Sequence, residues 1–235
     1  MTQVSVGIHQ PNYLPWLGYF RKIALCDQFV FFDNALLPLG KSFVSRNAIP
    51  THQGPLWLTV PVAKKQVLLA EVPIIDQRWR RKHIQTLQQA YKKAPFKDVL
   101  ESAVLPVLEG SQDRIADLNI DLIRAISAWI GLSDVTFVQA STLGLAETGA
   151  DSIEPILKAT GATRYVTGSG AGTQRSIDVD SLAALGIETQ FISSSFAEYQ
   201  QMHTPFAANM SAIDACACIG PDAVRELLLN PPGDA

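Results

Sequence analysis

The chain has 235 residues, 47% of them hydrophobic, and a formal net charge of −3. That is enough apolar material for a sizeable core, and the charge is too small and the basic runs too short for bulk attraction to nucleic acid. No basic segment followed by a continuous apolar stretch opens the chain, and no run approaches the roughly eighteen apolar residues of a membrane-spanning helix, so a cytoplasmic protein without a membrane span is expected. Three cysteines, Cys26, Cys216 and Cys218, argue for a reducing compartment rather than a disulfide framework. Cys216 and Cys218 lack the second CxxC or histidine pair of a structural zinc site, and no metal ligand set is expected.

Val4 to Ile8 reads as a short buried strand that runs into Gly7-Ile8-His9-Gln10-Pro11-Asn12-Tyr13-Leu14-Pro15-Trp16. The prolines hold an extended turn, and Leu17 to Leu25 carries apolar residues at helical spacing. Gln28 to Phe32 is a second buried strand, closed by Asp33-Asn34. Phe43 to Ala63, broken by Pro50, Gly54-Pro55 and Pro61, predicts a hairpin or arm laid over the sheet edge.

Trp79 to Lys93 reads as a helix with Ile84, Leu87 and Tyr91 on one face. Helices over Val99 to Leu108 and Arg114 to Trp129 follow, the latter ending near Gly131. Alternation then returns: a strand at Val135 to Gln139, a helix at Ser152 to Thr160, a strand at Arg164 to Thr167, a short helix at Val179 to Leu185 and a strand at Ile187 to Ile192. Two helical segments, Ile213 to Ile219 and Ala223 to Leu229, finish the chain. Strands alternating with helices predict one α/β domain over residues 1–235, built on a mostly parallel Rossmann-like three-layer sheet with a helical insertion at about 79–132 and a short β arm.

A loop leaving the carboxyl end of a strand is where open α/β folds place their sites. His9 would lie there as a general base, with Gln10 and Asn12 orienting substrate and Tyr13 and Trp16 packing or stacking on it. Asp33 ends the second strand, where a carboxylate meets a ribose or a metal, or caps the following turn. Arg46, beside Asn47, can grip a phosphate or carboxylate, and the cluster Arg78, Arg80, Arg81, Lys82 can meet phosphate. His83 at the border of the helix stripe and His203 in a weakly charged loop are further catalytic candidates, whereas His52 reads as a turn residue. Gly168, Ser169 and Gly170, continuing into Ala171-Gly172, leave a strand where backbone N–H groups could hold an anion; the run lacks the P-loop lysine and the full G-x-G-x-x-G helix opening. A triad of Ser169 or Ser211 with His203 and Asp214 has only spacing in its favour.

The HQPNYLPWLGYF opening, Asp33, Arg46-Asn47 before Trp57-Leu58-Thr59-Val60-Pro61-Val62, and Trp79 with His83 and Tyr91 resemble the WbqC-like family. So do Tyr165-Val166-Thr167-Gly168-Ser169-Gly170-Ala171 and the distal Tyr199, Gln201, Phe206, Ser211 and Asp214. The likeness spans most of the chain. It implies a link to bacterial surface polysaccharide (O-antigen) or secondary-metabolite biosynthesis, and transfer of glycine or a similar acyl group onto an amino sugar or comparable amine. It also implies substrate contacts at Asn47, Tyr91, Gln201 and Asp214. The donor would be a CoA or carrier-protein thioester, or an adenylate made from ATP with Mg²⁺; the acceptor would be a nucleotide-linked amino sugar.

A second likeness is to the strand–HxGH–helix start of class I nucleotidyltransferases and pantothenate synthetase, whose two histidines stabilise ATP phosphates. Trp16 and Tyr19 stand at both histidine positions here, and His9 does not replace them. A nucleotidyltransferase-like or nucleotide-sugar-processing enzyme and a non-catalytic ligand-binding or scaffold protein are the alternative expectations.

Overall fold

The structure is a computed structural model that describes residues 3–38, 40–170 and 177–230. Five parallel strands form the central sheet: β1 (Ser5–His9), β2 (Gln28–Phe31), β5 (Thr136–Gln139), β6 (Arg164–Gly168) and β7 (Glu188–Ile192), in the order β5-β2-β1-β6-β7. The chain winds outward from β1 through β2 to β5, then crosses back to β6 beside β1 and continues to β7. Strand order therefore reverses between β1 and β6.

Side-chain alternation along the strands builds a core on each face. Val6 and Ile8 of β1, Val30 of β2 and Tyr165 of β6 pack with Ile156 and Leu157 of α5 (Ile153–Ala159) and Leu182 of α6 (Val179–Ala184). Phe29 and Phe31 of β2 face the other way, into a larger core with α1 (Leu17–Ala24), α4 (Ile115–Ile130) and α7 (Ala212–Leu229). Burial on both faces explains why these strands read as unbroken apolar runs.

The connection from β2 to β5 holds the antiparallel hairpin β3 (Arg46–Ile49) and β4 (Leu56–Thr59), then α2 (Trp79–Ala90), α3 (Leu105–Leu108) and α4. The hairpin forms its own two-stranded sheet and is not hydrogen-bonded to β5 or β7, the strands at the edges of the main sheet. It is tied instead to the loop after β1 and to the start of α7: Tyr13 N–H donates to Phe43 O at 2.9 Å, and Ser211 N–H to Ala48 O at 2.8 Å.

Two helices depart from their expected form. A wider π turn over Leu100–Val104 precedes α3, next to Pro106, which has no N–H to continue the regular ladder. The two C-terminal segments run on as α7, kinked at Gly220-Pro221. Gly220 has φ 82°, and a Cβ there would lie 2.7 Å from the Phe96 ring, so both backbone angle and space call for glycine.

Candidate functional site at the sheet switch point

The loop after β1 is held by its own carbonyls. Gln10 O accepts from Tyr19 Oη at 3.0 Å, Pro11 O from Asn119 Nδ2 at 2.8 Å, and Leu14 O from Asn47 Nδ2 at 2.6 Å. Pro15 O accepts from Ala212 N–H at 2.7 Å and Trp16 O from Tyr19 N–H at 3.0 Å. A loop with two prolines has few N–H groups to bond with, so buried amides from α4 and β3 reach in to satisfy its oxygens. Leu14 adopts φ 43°, unusual for a bulky residue, inside this clamp.

Where strand order reverses, the carboxyl ends of β1, β6 and β7 and the start of α1 enclose a cleft of about 450 Å³. His9, Gln10, Trp16 and Lys22 line one side; Tyr165, Thr167 and Gly168 belong to β6, Ser169 and Gly170 follow it, and Ser193 and Ser194 follow β7. Trp16 and Ser194 also border a smaller cavity of about 140 Å³ with Phe196, Tyr199 and Phe206. Sheet switch points are the ligand sites of open α/β folds, because loops on the two sides diverge and leave a crevice.

His9 lies against Tyr19 and Trp16, ring centroids 4.8 and 5.8 Å away. Its Nδ1 is 3.1 Å from Gln10 O, which can only accept, so the proton sits on Nδ1 and Nε2 keeps its lone pair. Burial, and next the Lys22 charge, hold the His9 pKa down to about 3. The near-neutral base expected from the sequence is therefore a neutral imidazole that accepts hydrogen bonds.

Lys22 is the titratable group that reading the sequence missed. The residue is 6% exposed, and Nζ donates to Ile8 O at 3.1 Å. Burial pulls its pKa down to about 8. The signal was present: Tyr19 and Lys22 follow at helical spacing on the sheet-facing side of α1, with Cys26 just beyond its end, and a lysine on an apolar face is out of place. Gly7 makes room for it, since a Cβ there would meet Cys26 Sγ at 2.7 Å and Lys22 Cγ at 3.0 Å.

Of the residues expected to bind or act, the cleft gathers His9, Gln10, Trp16, Gly168, Ser169 and Gly170; Ala171 and Gly172 lie outside the described residues. Asn12 is buried. Tyr13 Oη and His83 Nδ1 are 2.8 Å apart, both buried, with Trp79 beside them. His83 also lines a separate cleft with Trp57, Thr59 and Lys82. Tyr91, Gln201 and Asp214 do come together, away from His9: the Asp214 carboxylate accepts from Tyr91 Oη at 3.2 Å, Tyr199 Oη at 2.7 Å and Gln201 Nε2 at 2.8 Å. Burial raises the Asp214 pKa against these bonds.

Asp33 is fully buried and accepts from Ser141 N–H at 2.8 Å and Ser141 Oγ at 2.6 Å, fastening the end of β2 to the segment after β5. Asn47 serves Leu14, as above, and Arg46 lies over the Trp57 ring at 4.3 Å. His203 pairs with His52, centroids 6.2 Å apart, beside a third cleft between the hairpin and α2. No hydrogen bond joins His203 to Ser211 or Asp214; Ser211 Oγ caps α7 by accepting from Ile213 N–H. Arg80 of the basic cluster is turned inward onto the carbonyls of Leu108 and Gln112, and Arg78 onto Asp76.

The order of strands and the crevice between β1 and β6 define a doubly wound α/β protein with a cleft at its switch point. The chain belongs to the WbqC-like protein family, whose model matches residues 10–226. It is also similar to the uncharacterized protein Rv1507c of Mycobacterium tuberculosis (strain ATCC 25618 / H37Rv), 29% identical over 224 residues, which cover 93% of this chain and 95% of that one. Among the described residues, no helix is long and apolar enough to cross a membrane.

Proposed function

We propose that the chain is a cytoplasmic transferase that moves a glycine-type or other small acyl group onto the amine of a sugar or similar small molecule in the switch-point cleft. The observation that carries this reading is the electrostatic character of the cleft. None of the described residues lining it is a carboxylate, and the one cation among them is Lys22. In a partly dry cleft beside a positive charge an ammonium ion is disfavoured, so an amine bound there presents its lone pair. His9 Nε2 accepts a hydrogen bond from that amine and orients it, and Trp16 offers a ring face beside it.

In the transfer the amine nitrogen forms a bond to the acyl carbon while the bond from that carbon to the donor's sulfur, or to an adenylate's oxygen, breaks. The leaving group takes the electron pair, and the proton lost by the nitrogen goes to it or to water. The donor is a thioester of CoA or of a carrier protein, or an adenylate from ATP and Mg²⁺, and the acceptor is a nucleotide-linked amino sugar. The family resemblance supplies this reaction class.

A second reading, a nucleotide- or nucleotide-sugar-processing enzyme, draws on the Gly168-Ser169-Gly170 turn at the switch point, where a Cβ at Gly168 would meet nothing within 4 Å. One experiment separates the two. The chain is incubated with acyl-CoA or aminoacyl donors and nucleotide-linked amino sugars, and products are read by mass spectrometry. An N-acylated product that His9→Gln reduces supports transfer. A nucleotide product formed with ATP and Mg²⁺ alone favours the second reading, and binding without any product points to a ligand-binding or scaffold role.

A further inference from the structure

Lys22 has an environment that an ammonium ion does not tolerate alone. Its Nζ is held under the end of β1 and, among the described residues, has a single acceptor, the carbonyl of Ile8, so those residues use one of its three N–H donors. A buried cation normally has an acid partner, because a carbonyl dipole offsets little of the hydration it lost. Among the described residues, the groups that face it are uncharged. His9 comes from β1, and Tyr19 and Cys26 come from α1 and the turn after it. Burial pushes the Tyr19 phenol above its ordinary range and the Cys26 thiol up to about 12, and His9 is neutral. Asp27, the nearest acid along the chain, is spent at the other end of β1, where it accepts from Ser5 N–H at 2.7 Å and Ser5 Oγ at 2.6 Å.

We infer that the ligand of the switch-point cleft carries an anionic group, a phosphate or a carboxylate, that seats against Lys22 and is its missing counterion. The inference rests on the cleft being the ligand site, and it narrows the substrate class to molecules with such a group. Thr167, Ser169, Ser193 and Ser194 line the same cleft and bring hydroxyl donors that a multi-oxygen anion can share. The seat also gives binding a pH limit. An anion binds the protonated lysine, so affinity holds at neutral pH and falls as Lys22 loses its proton, with the bound anion itself moving that loss to higher pH.

The test is titration calorimetry of the full chain with inorganic phosphate and, separately, with acetate, at fixed ionic strength and at pH 6.5 and 9.5. Wild type is expected to bind one of them at the lower pH and more weakly at the higher. Lys22→Met, which keeps the length and apolar stem, is expected to bind roughly ten- to hundredfold more weakly, the loss of one charge-assisted contact, and Lys22→Arg to keep part of the affinity. Phosphate alone binding assigns a phosphorylated ligand, acetate alone a carboxylate one. Equal binding by wild type and folded Lys22→Met, verified by circular dichroism, overturns the seat, as does no binding of either anion by wild type. Anion binding with no acyl product from any donor defeats the transfer reading and leaves the seat standing.

Discussion

The Tyr13 hydroxyl lies 2.8 Å from His83 Nδ1, and this buried bond joins the loop after β1 to α2. Burial raises the phenol pKa and lowers that of the imidazole to about 4, so at neutral pH the phenol donates to an uncharged ring. Tyr13→Phe removes the donor and leaves a buried nitrogen without one. The expected cost is about 1–3 kcal/mol in a urea or guanidinium unfolding experiment. An unchanged midpoint would mean that the bond contributes nothing to stability.

Two neutral histidines make the fold sensitive to acid. His9 and His83 have pKa values of about 3 and about 4 in the fold, below the 6.5 of an unfolded chain. The native state therefore binds fewer protons than the unfolded state between those limits. Their stabilising effect is complete above pH 6.5 and is lost as pH falls toward 4 and 3. Melting temperature is expected to fall from pH 6.5 to 4.5, and less steeply in His83→Gln than in wild type. Parallel curves for the two proteins would rule out His83 as a source of the acid loss.

Periodicity made the strands and long helices legible. Gln28 to Phe32 could only be a doubly buried strand, and the structure ends it one residue earlier, at Phe31. Two things did not show in local pattern. One is the destination of polar side chains: Asn47, Asp33 and Asp214 read as ligand contacts, yet each closes a hydrogen-bond set with partners that include residues remote in sequence. The other is Lys22, whose meaning depends on Gly7 leaving space beneath β1 and on no acid among the described residues of the cleft, neither of which local spacing reveals.

Asn119 is buried in α4 and uses both hydrogens of its amide, toward Pro11 O and Val44 O, each at 2.8 Å. Asn119→Asp keeps the shape and replaces two donors by an acceptor facing two carbonyl oxygens. The expected loss is about 3–5 kcal/mol at neutral pH, of the size seen for an uncompensated buried charge. The loss should be smaller near pH 4, where the carboxyl can protonate. Native-like stability at pH 7 would contradict the account of how the loop is held.

Lys22 predicts the opposite trend on the alkaline side. Its pKa of about 8 lies below the ordinary 10.5, so the unfolded chain holds a proton that the fold has released between those values. Its ionisation therefore opposes folding fully below pH 8, and the penalty shrinks as pH rises through that window. Lys22→Met is expected to be more stable than wild type at pH 7 without added anions, by on the order of 2 kcal/mol. That advantage should narrow toward pH 10. Taking the difference between the two proteins cancels the tyrosines and cysteines that also titrate there. A less stable variant at pH 7 would show that the Ile8 contact outweighs the cost of burying the charge.

Gly7 connects packing to the site. A methyl group there would stand 2.7 Å from Cys26 Sγ, 3.0 Å from Lys22 Cγ and 3.2 Å from the Phe29 ring, so Gly7→Ala must displace the thiol and the lysine stem together. An overpacked core position costs about 1–3 kcal/mol. Cys26→Ala alone removes a sulfur from a buried position and is expected to cost about 1 kcal/mol, as for a small cavity. In the double variant the added methyl no longer meets the sulfur, so its loss should be smaller than the two single losses added, by at least about 0.5 kcal/mol in a double-mutant cycle. Lys22 reports on the same change. Anion binding at pH 6.5 should weaken in Gly7→Ala and recover in Gly7→Ala/Cys26→Ala, because the lysine stem regains its path beneath β1. Strict additivity, with binding unaltered in all three variants, would separate the packing under β1 from the position of the ammonium group.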